Sequence, residues 1–228
     1  MIRCFSKTGN LHTGRQEENQ DAILSGENGR FLALVLADGV SSCQEAGPGA
    51  RVACRTAADL LLTQGTRFLM CRGRQAATML LPQILAALTA LAEEDGVPLE
   101  EYSSTIACVL LDRVEGKAAY CSVGDSLILA AGENGCRVLA MPDSHRDGCC
   151  VTTTRGAAQQ ARAGSFDVGD YHSILLCSDG AWRLMYDKNR LAPPVRHMLL
   201  CGNYGGLSYY LNGRESQDDC TFICHVSQ

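Results

Sequence analysis

Phe31 to Ala37, "FLALVLA", are seven consecutive apolar residues, and they stop abruptly at Asp38-Gly39. A short apolar run bounded by turn residues predicts a buried strand. Just upstream, Ile23–Leu24 is separated from it by "SGENGR", where Asn28-Gly29 predicts a hairpin. From Gly49 the period changes. Ala50, Ala53, Ala57, Leu60 and Leu61 recur at helical spacing, and a second helix shows Leu81, Ile84, Leu85, Leu88, Leu91 and Ala92 on one face. That helix ends near Glu93–Gly96, and Pro82 is placed within it or near its start; at the first helical position its missing N–H would be tolerated.

Strands then dominate. "STIACVLLD" (104–112), "KAAYCSV" (117–123), "SLILAAG" (126–132) and "CRVLAM" (136–141) are short and β-prone, with turn residues between them. Residues 142–170 are polar and glycine-containing, which reads as a long, partly irregular excursion of the kind that carries function. "YHSILLCS" is a further strand, helices are expected over 187–201 and 204–213, and "TFICHV" closes the chain as a strand. Helices set between blocks of hairpins predict an α+β fold, an antiparallel sheet with helices packed outside. No repeat or linker breaks the chain, so residues 1–228 read as a single domain.

Composition narrows the partners. A net charge of -5 argues against a nucleic-acid footprint. The longest unbroken apolar run is far short of the roughly 18 residues of a membrane helix, and the polar N-terminus lacks a signal-peptide core. The expectation is a cytoplasmic monomer without membrane or nucleic-acid partners. The 13 cysteines contain no Cys-x-x-Cys spacing, and Cys54, Cys108, Cys121 and Cys177 lie in apolar segments, so they read as reduced thiols. Cys220 and His225 read as strand residues rather than metal ligands, and the cysteines are read as offering no Cys-x5-Arg phosphate loop.

Acids recur where apolar strands begin or end. Asp38 and Asp179 each follow a strand and precede glycine; Asp125 lies in "VGDS"; Asp218 and Asp219 precede "TFICHV"; Asp21 precedes "AIL". Any one of them alone is more simply a turn residue, since Asp bonds its own backbone there. Together they describe carboxylates that would repel one another if the strand ends converge, and hard oxygen ligands of that kind select Mg²⁺ or Mn²⁺.

The ordered set "NQDA" (19–22), "ADGVSS" (37–42), "SSTIA" (103–107), "VGDS" (123–126), "CSDGAW" (177–182) and "DDCT" (218–221) resembles the metal-dependent protein serine/threonine phosphatases of type 2C, in a compact bacterial-like form. The resemblance implies a four-layer α-β-β-α sandwich, two antiparallel sheets flanked by helix pairs. It implies hydrolysis of phosphoserine and phosphothreonine by a hydroxide bridging two Mg²⁺ or Mn²⁺ ions. Asp38, Asp179 and Asp218 would be the catalytic metal ligands, with the Gly39 carbonyl on one ion. Asp125 would hold a third, weaker ion, and Asp21 would orient the attacking water. Phosphoprotein substrates and a cognate Ser/Thr kinase are the implied partners, and 142–170 takes the place of the family's flap.

The sequence departs from that pattern at Arg183, where an acid is common, at Leu127, where Arg often follows "GDS", and at Val40, where animal members carry His. Five residues separate Arg15 from Asp21, where relatives place a phosphate-gripping Arg with four between. The alternatives are a phosphatase-like binding module with little turnover and, less favoured, a metal-dependent phosphodiesterase.

Overall fold

The structure, a computed structural model, describes residues 1–142 and 149–227. Two five-stranded antiparallel sheets form its centre. The first runs in the order β1 (Ile2–Lys7), β12 (Cys220–Val226), β9 (Ser173–Cys177), β6 (Leu127–Gly132) and β7 (Gly135–Ala140). The second runs β2 (Ala22–Glu27), β3 (Phe31–Ala37), β4 (Ile106–Asp112), β5 (Lys117–Val123) and β8 (Arg162–Asp167). A small hairpin pairs β10 (Tyr186–Asp187) with β11 (Arg190–Leu191). The helices are α1 (Asn10–Arg15), α2 (Ala46–Thr63), α3 (Gly65–Met70), α4 (Gln75–Asp95), α5 (Ala157–Gln160), α6 (Asp179–Met185), α7 (Pro193–Leu200) and α8 (Tyr204–Asn212).

The unbroken apolar run of β3 is explained by burial on both faces. Leu32, Leu34 and Leu36 point between the sheets, where they meet Val109, Ile128, Ile174, Leu176 and Ile223. Phe31, Ala33, Val35 and Ala37 point the other way, under α2 and α4. On the far side, Leu129, Leu175 and Phe222 pack beneath α6, α7 and α8. The result is the expected α-β-β-α order of layers. Small residues let α2 approach its neighbours: a Cβ on Gly49 would collide with the Tyr102 carbonyl.

Pro82 is the eighth residue of α4, inside the helix. Two expectations are corrected. Residues 162–167 are not loop but the edge strand β8, paired with β5 from Lys117↔Asp167 to Ser122↔Arg162. "RAGSFD" has little apolar alternation, so only its pairing partner shows it to be a strand. The helix expected over 187–201 begins at Pro193, after the β10–β11 hairpin. Among the described residues α4 alone has the length and composition of a membrane-crossing helix. Its Ala77, Leu80, Ile84 and Leu88 are instead committed to the core beneath α2.

Candidate functional site

Strand register brings the acids to one end of the sandwich. β3 ends at Ala37, opposite Ala22 at the start of β2, so Asp38 and Asp21 leave the sheet side by side. In the other sheet Cys177, at the end of β9, faces both Phe222 of β12 and Leu127 of β6. Asp179 therefore leaves beside Asp218 and beside the β5–β6 turn that carries Asp125. The two sheets meet where the Asp179 N–H points at Asp38 Oδ2, at a long 3.5 Å. All five sequence-predicted acids are thus brought together.

Asp38 is fixed through its backbone. Its N–H donates to Thr105 Oγ1 at 3.0 Å, and its carbonyl accepts the Thr105 N–H at 2.8 Å. Thr105 Oγ1 is in turn 3.1 Å from Ser126 Oγ. These hydroxyls lie in "SSTIA" and "VGDS", which accounts for those two motifs. Gly39 bridges Ser104, and a Cβ there would press on the Gln20 carbonyl at 2.9 Å. A Cβ on Gly180 would collide with the Asp219 carbonyl. Both glycines permit the close backbone approach that a crowded site needs.

The electrostatics are those of anions confined without enough positive charge. Burial pushes the Asp21 carboxyl up to about 7, with Asp219 and Asp179 adding to the effect and the Thr221 and Ser178 hydroxyls opposing it. Neither hydroxyl reaches hydrogen-bond geometry, so both Asp21 carboxylate oxygens are sealed from solvent and unpartnered. Asp38 is held well above the usual carboxylate range, first by the protein packed around it and then by Asp21, Asp179 and Asp125. Asp179 is pushed up to about 6 by burial, against the pull of the Arg183 guanidinium.

Sealed, unpaired carboxylate oxygens among further acids suit hard divalent cations. Asp38, Asp179 and Asp218 are the residues that could hold them, with Asp125 and Asp21 alongside. The described residues contain no group of three or more acid, His or Cys side chains already converged as a cage. Arg183 instead spans part of the cluster, 2.8 Å from Asp179 Oδ2 and 3.6 Å from Asp218 Oδ2.

The family described as Protein phosphatase 2C matches residues 8–213. The chain belongs to the protein phosphatase 2C family. It is accordingly a protein serine/threonine phosphatase of a metal-dependent family. The serine/threonine phosphatase Stp1 from Staphylococcus aureus shares its fold with a TM-score of 0.68 at 20% identity, covering 100% of this chain and 94% of the other. The Mycobacterium tuberculosis phosphatase PstP/Ppp gives 0.69 at 15% identity, covering 100% and 99%. RsbX, solved in complex with magnesium, gives 0.60 at 15% identity, covering 98% and 92%. No curated protein matches by sequence.

Three features of this protein phosphatase 2C chain escaped sequence reasoning. Asp219 Oδ1 accepts the Gly9 N–H at 2.8 Å and its Oδ2 accepts the Gln20 N–H at 2.6 Å. His12 Nδ1 lies 2.9 Å from Asp219 Oδ2, outside the angle of a well-formed hydrogen bond. Asp219 therefore clamps the segment that delivers Asp21, whereas its neighbour Asp218 faces the cluster. Nothing in "DD" announces that division. Second, a cleft of about 670 Å³ adjoins the cluster and is lined by Arg15, Asn19, Gln20, Ser42, Gly47 and Arg51, among others. Arg51 lies one helical turn past Gly47, and a Cβ on that glycine would sit 3.4 Å from the Arg51 guanidinium.

Third, the cysteine reading is corrected: Cys149–Arg155 and Cys177–Arg183 both have Cys-x5-Arg spacing. Cys177 is a fully buried strand residue whose thiol burial pushes up, and Arg183 faces Asp179 and Asp218. The Cys149–Arg155 segment is not a phosphate cradle either. Its Val151, Thr152 and Thr154 N–H groups are spent on Thr154 Oγ1, the Ser104 carbonyl and the Val151 carbonyl. All 13 cysteines are free; burial pushes Cys108 and Cys220 up to about 12, away from the thiolate a nucleophile needs.

Proposed function

We propose that this phosphatase hydrolyses phosphoserine and phosphothreonine esters in proteins by direct attack of water, with Asp38, Asp179 and Asp218 holding two Mg²⁺ or Mn²⁺ ions. The observation that carries the reading is the meeting of Asp38 with Asp179, residues from different sheets, in a cluster where burial pushes the Asp21, Asp38 and Asp179 carboxyls up. The bound ions would supply the charge that activates water and neutralises the phosphoryl oxygens. The chain's own contribution is placement. Thr105 and Ser126 fix Asp38, Asp219 fixes the segment of Asp21, and Asp21 orients the attacking water. No side-chain nucleophile is required. Val40 has no proton to give the leaving oxygen.

The phosphoprotein enters through the Arg15–Arg51 cleft, where either guanidinium can meet a phosphoryl oxygen. Residues 149–161, which precede the edge strand β8, serve as the described part of a substrate flap. Thr152 and Thr153 dock on Ser104 and Ser103, at 2.8 Å and 2.6 Å, directly beside Gly39. Residues 143–148, also assigned to the flap, lie outside the described residues. A Ser/Thr kinase that makes the phosphoprotein is the implied partner.

The test is turnover of a phosphothreonine peptide with Mn²⁺ or Mg²⁺, and with EDTA. A cation-dependent rate should fall on the order of 10³-fold in Asp38→Asn and Asp179→Asn, the loss of several kcal/mol of charge stabilisation. Tight peptide binding without turnover would favour the binding-module alternative.

A further inference from the structure

We infer that Arg183 is a tethered cation of the acid cluster: its guanidinium stands between Asp179 and Asp218, competes with divalent cations for them and takes the place of a third ion. This rests on the reading of Asp179 and Asp218 as metal ligands.

The geometry comes from α6. Asp179 is its first residue, and Arg183 follows one turn later on the same face, an i,i+4 pair. One guanidinium nitrogen is 2.8 Å from Asp179 Oδ2, and the other is 3.6 Å from Asp218 Oδ2. The preceding residue, Trp182, donates its indole N–H to the Asp125 carbonyl at 2.8 Å. The same turn of helix thus ties down the loop of one acid and sets a positive charge against two others. The Arg183 guanidinium lies 5.8 Å from the centroid of the Trp182 ring, which steadies the arm.

Charge makes the consequence specific. Asp21, Asp38, Asp125, Asp179 and Asp218 bring five negative charges when all are ionised. Two divalent cations and one guanidinium cancel them; a third divalent cation would leave an excess that must be accommodated beside Arg183. The arm is also able to yield. Arg183 is 55% exposed while Asp179 is 11% exposed, so the guanidinium can swing to solvent as an entering ion claims the less exposed carboxylate. Metal affinity is then set partly by how well Arg183 competes.

Calorimetric titration of Mn²⁺ into the full chain tests this, with wild type, Arg183→Gln, Arg183→Asp and Asp38→Asn compared. Wild type should bind two equivalents. Arg183→Gln should bind about fivefold more tightly, the order an exposed ion pair can hold back, and Arg183→Asp should gain a third equivalent. Because Arg183 is half-exposed, neither change threatens the fold, which unfolding curves would verify. Equal affinity and stoichiometry in wild type and both Arg183 variants, with Asp38→Asn weakened, would overturn the inference and leave the metal centre standing. No Mn²⁺ binding by any of the proteins would overturn the metal centre and the inference with it.

Discussion

The backbone N–H of Gln20 donates to Asp219 Oδ2 at 2.6 Å, although 199 positions separate the two residues. The bond closes the N-terminal segment onto the start of β12 and so delivers Asp21 to the cluster. Asp219→Ala leaves the Gly9 and Gln20 donors without their acceptor, and each such loss costs about 1–3 kcal/mol where water cannot replace it. A lower urea midpoint with unchanged m-value is expected, together with reduced turnover. Asp219→Asn should behave similarly if its amide nitrogen faces either N–H. An unchanged midpoint in Asp219→Ala would remove the clamp from the account.

The acid cluster predicts an unusual pH response in metal-free protein. Asp21 and Asp179 have folded-state pKa values raised from 3.8 to about 7 and about 6. Between these limits the folded state binds more protons than the unfolded one, so this contribution to stability is complete below about 3.8 and is lost as pH rises through 6 to 7. Thermal melts in EDTA should therefore show Tm falling from pH 5.5 to 7.5, and saturating Mn²⁺ should restore it at pH 7.5 in wild type but much less in Asp38→Asn. A flat EDTA profile would contradict the electrostatic description.

The cleft beside the cluster separates substrate grip from chemistry. Arg51→Ala should raise KM for a phosphopeptide several-fold, while kcat with p-nitrophenyl phosphate stays near wild type. Arg15→Ala should do less, because Arg15 already faces Glu17 at 3.9 Å. Steady-state kinetics on the two substrates would show it; equal losses on both would place Arg51 in the chemistry instead.

Pro82 is exposed in the interior of α4, where it has no N–H to donate to the Thr78 carbonyl one turn earlier. A mid-helix proline costs about 3 kcal/mol relative to alanine, partly offset by its stiffening of the unfolded chain, worth about 0.4–1 kcal/mol. Pro82→Ala should raise stability by about 2–2.6 kcal/mol in urea unfolding without changing activity.

Much of this was legible in one dimension. The uninterrupted run Phe31–Ala37, the hairpins from 104 to 141 and the two long helices follow from local periodicity, because burial on one or two faces writes itself into residue order. Acids at strand ends, with glycine beside Asp38 and Asp179, flagged the site for the same reason: a crowded turn admits few residue types. Edge strands β1 and β8 and the short helices α1, α3 and α6 left no such trace, since their pairing partners or neighbours, not their own alternation, decide them. Tertiary structure alone split the pair Asp218-Asp219 into one acid facing the cluster and one clamp, committed the Val151, Thr152 and Thr154 N–H groups of the Cys149–Arg155 segment to other acceptors, and set Arg183 across two carboxylates. Hydrogen bonds and charge interactions act over a few ångströms in space whatever the distance along the chain, so a sequence can nominate such groups but only the fold can say which of them meet.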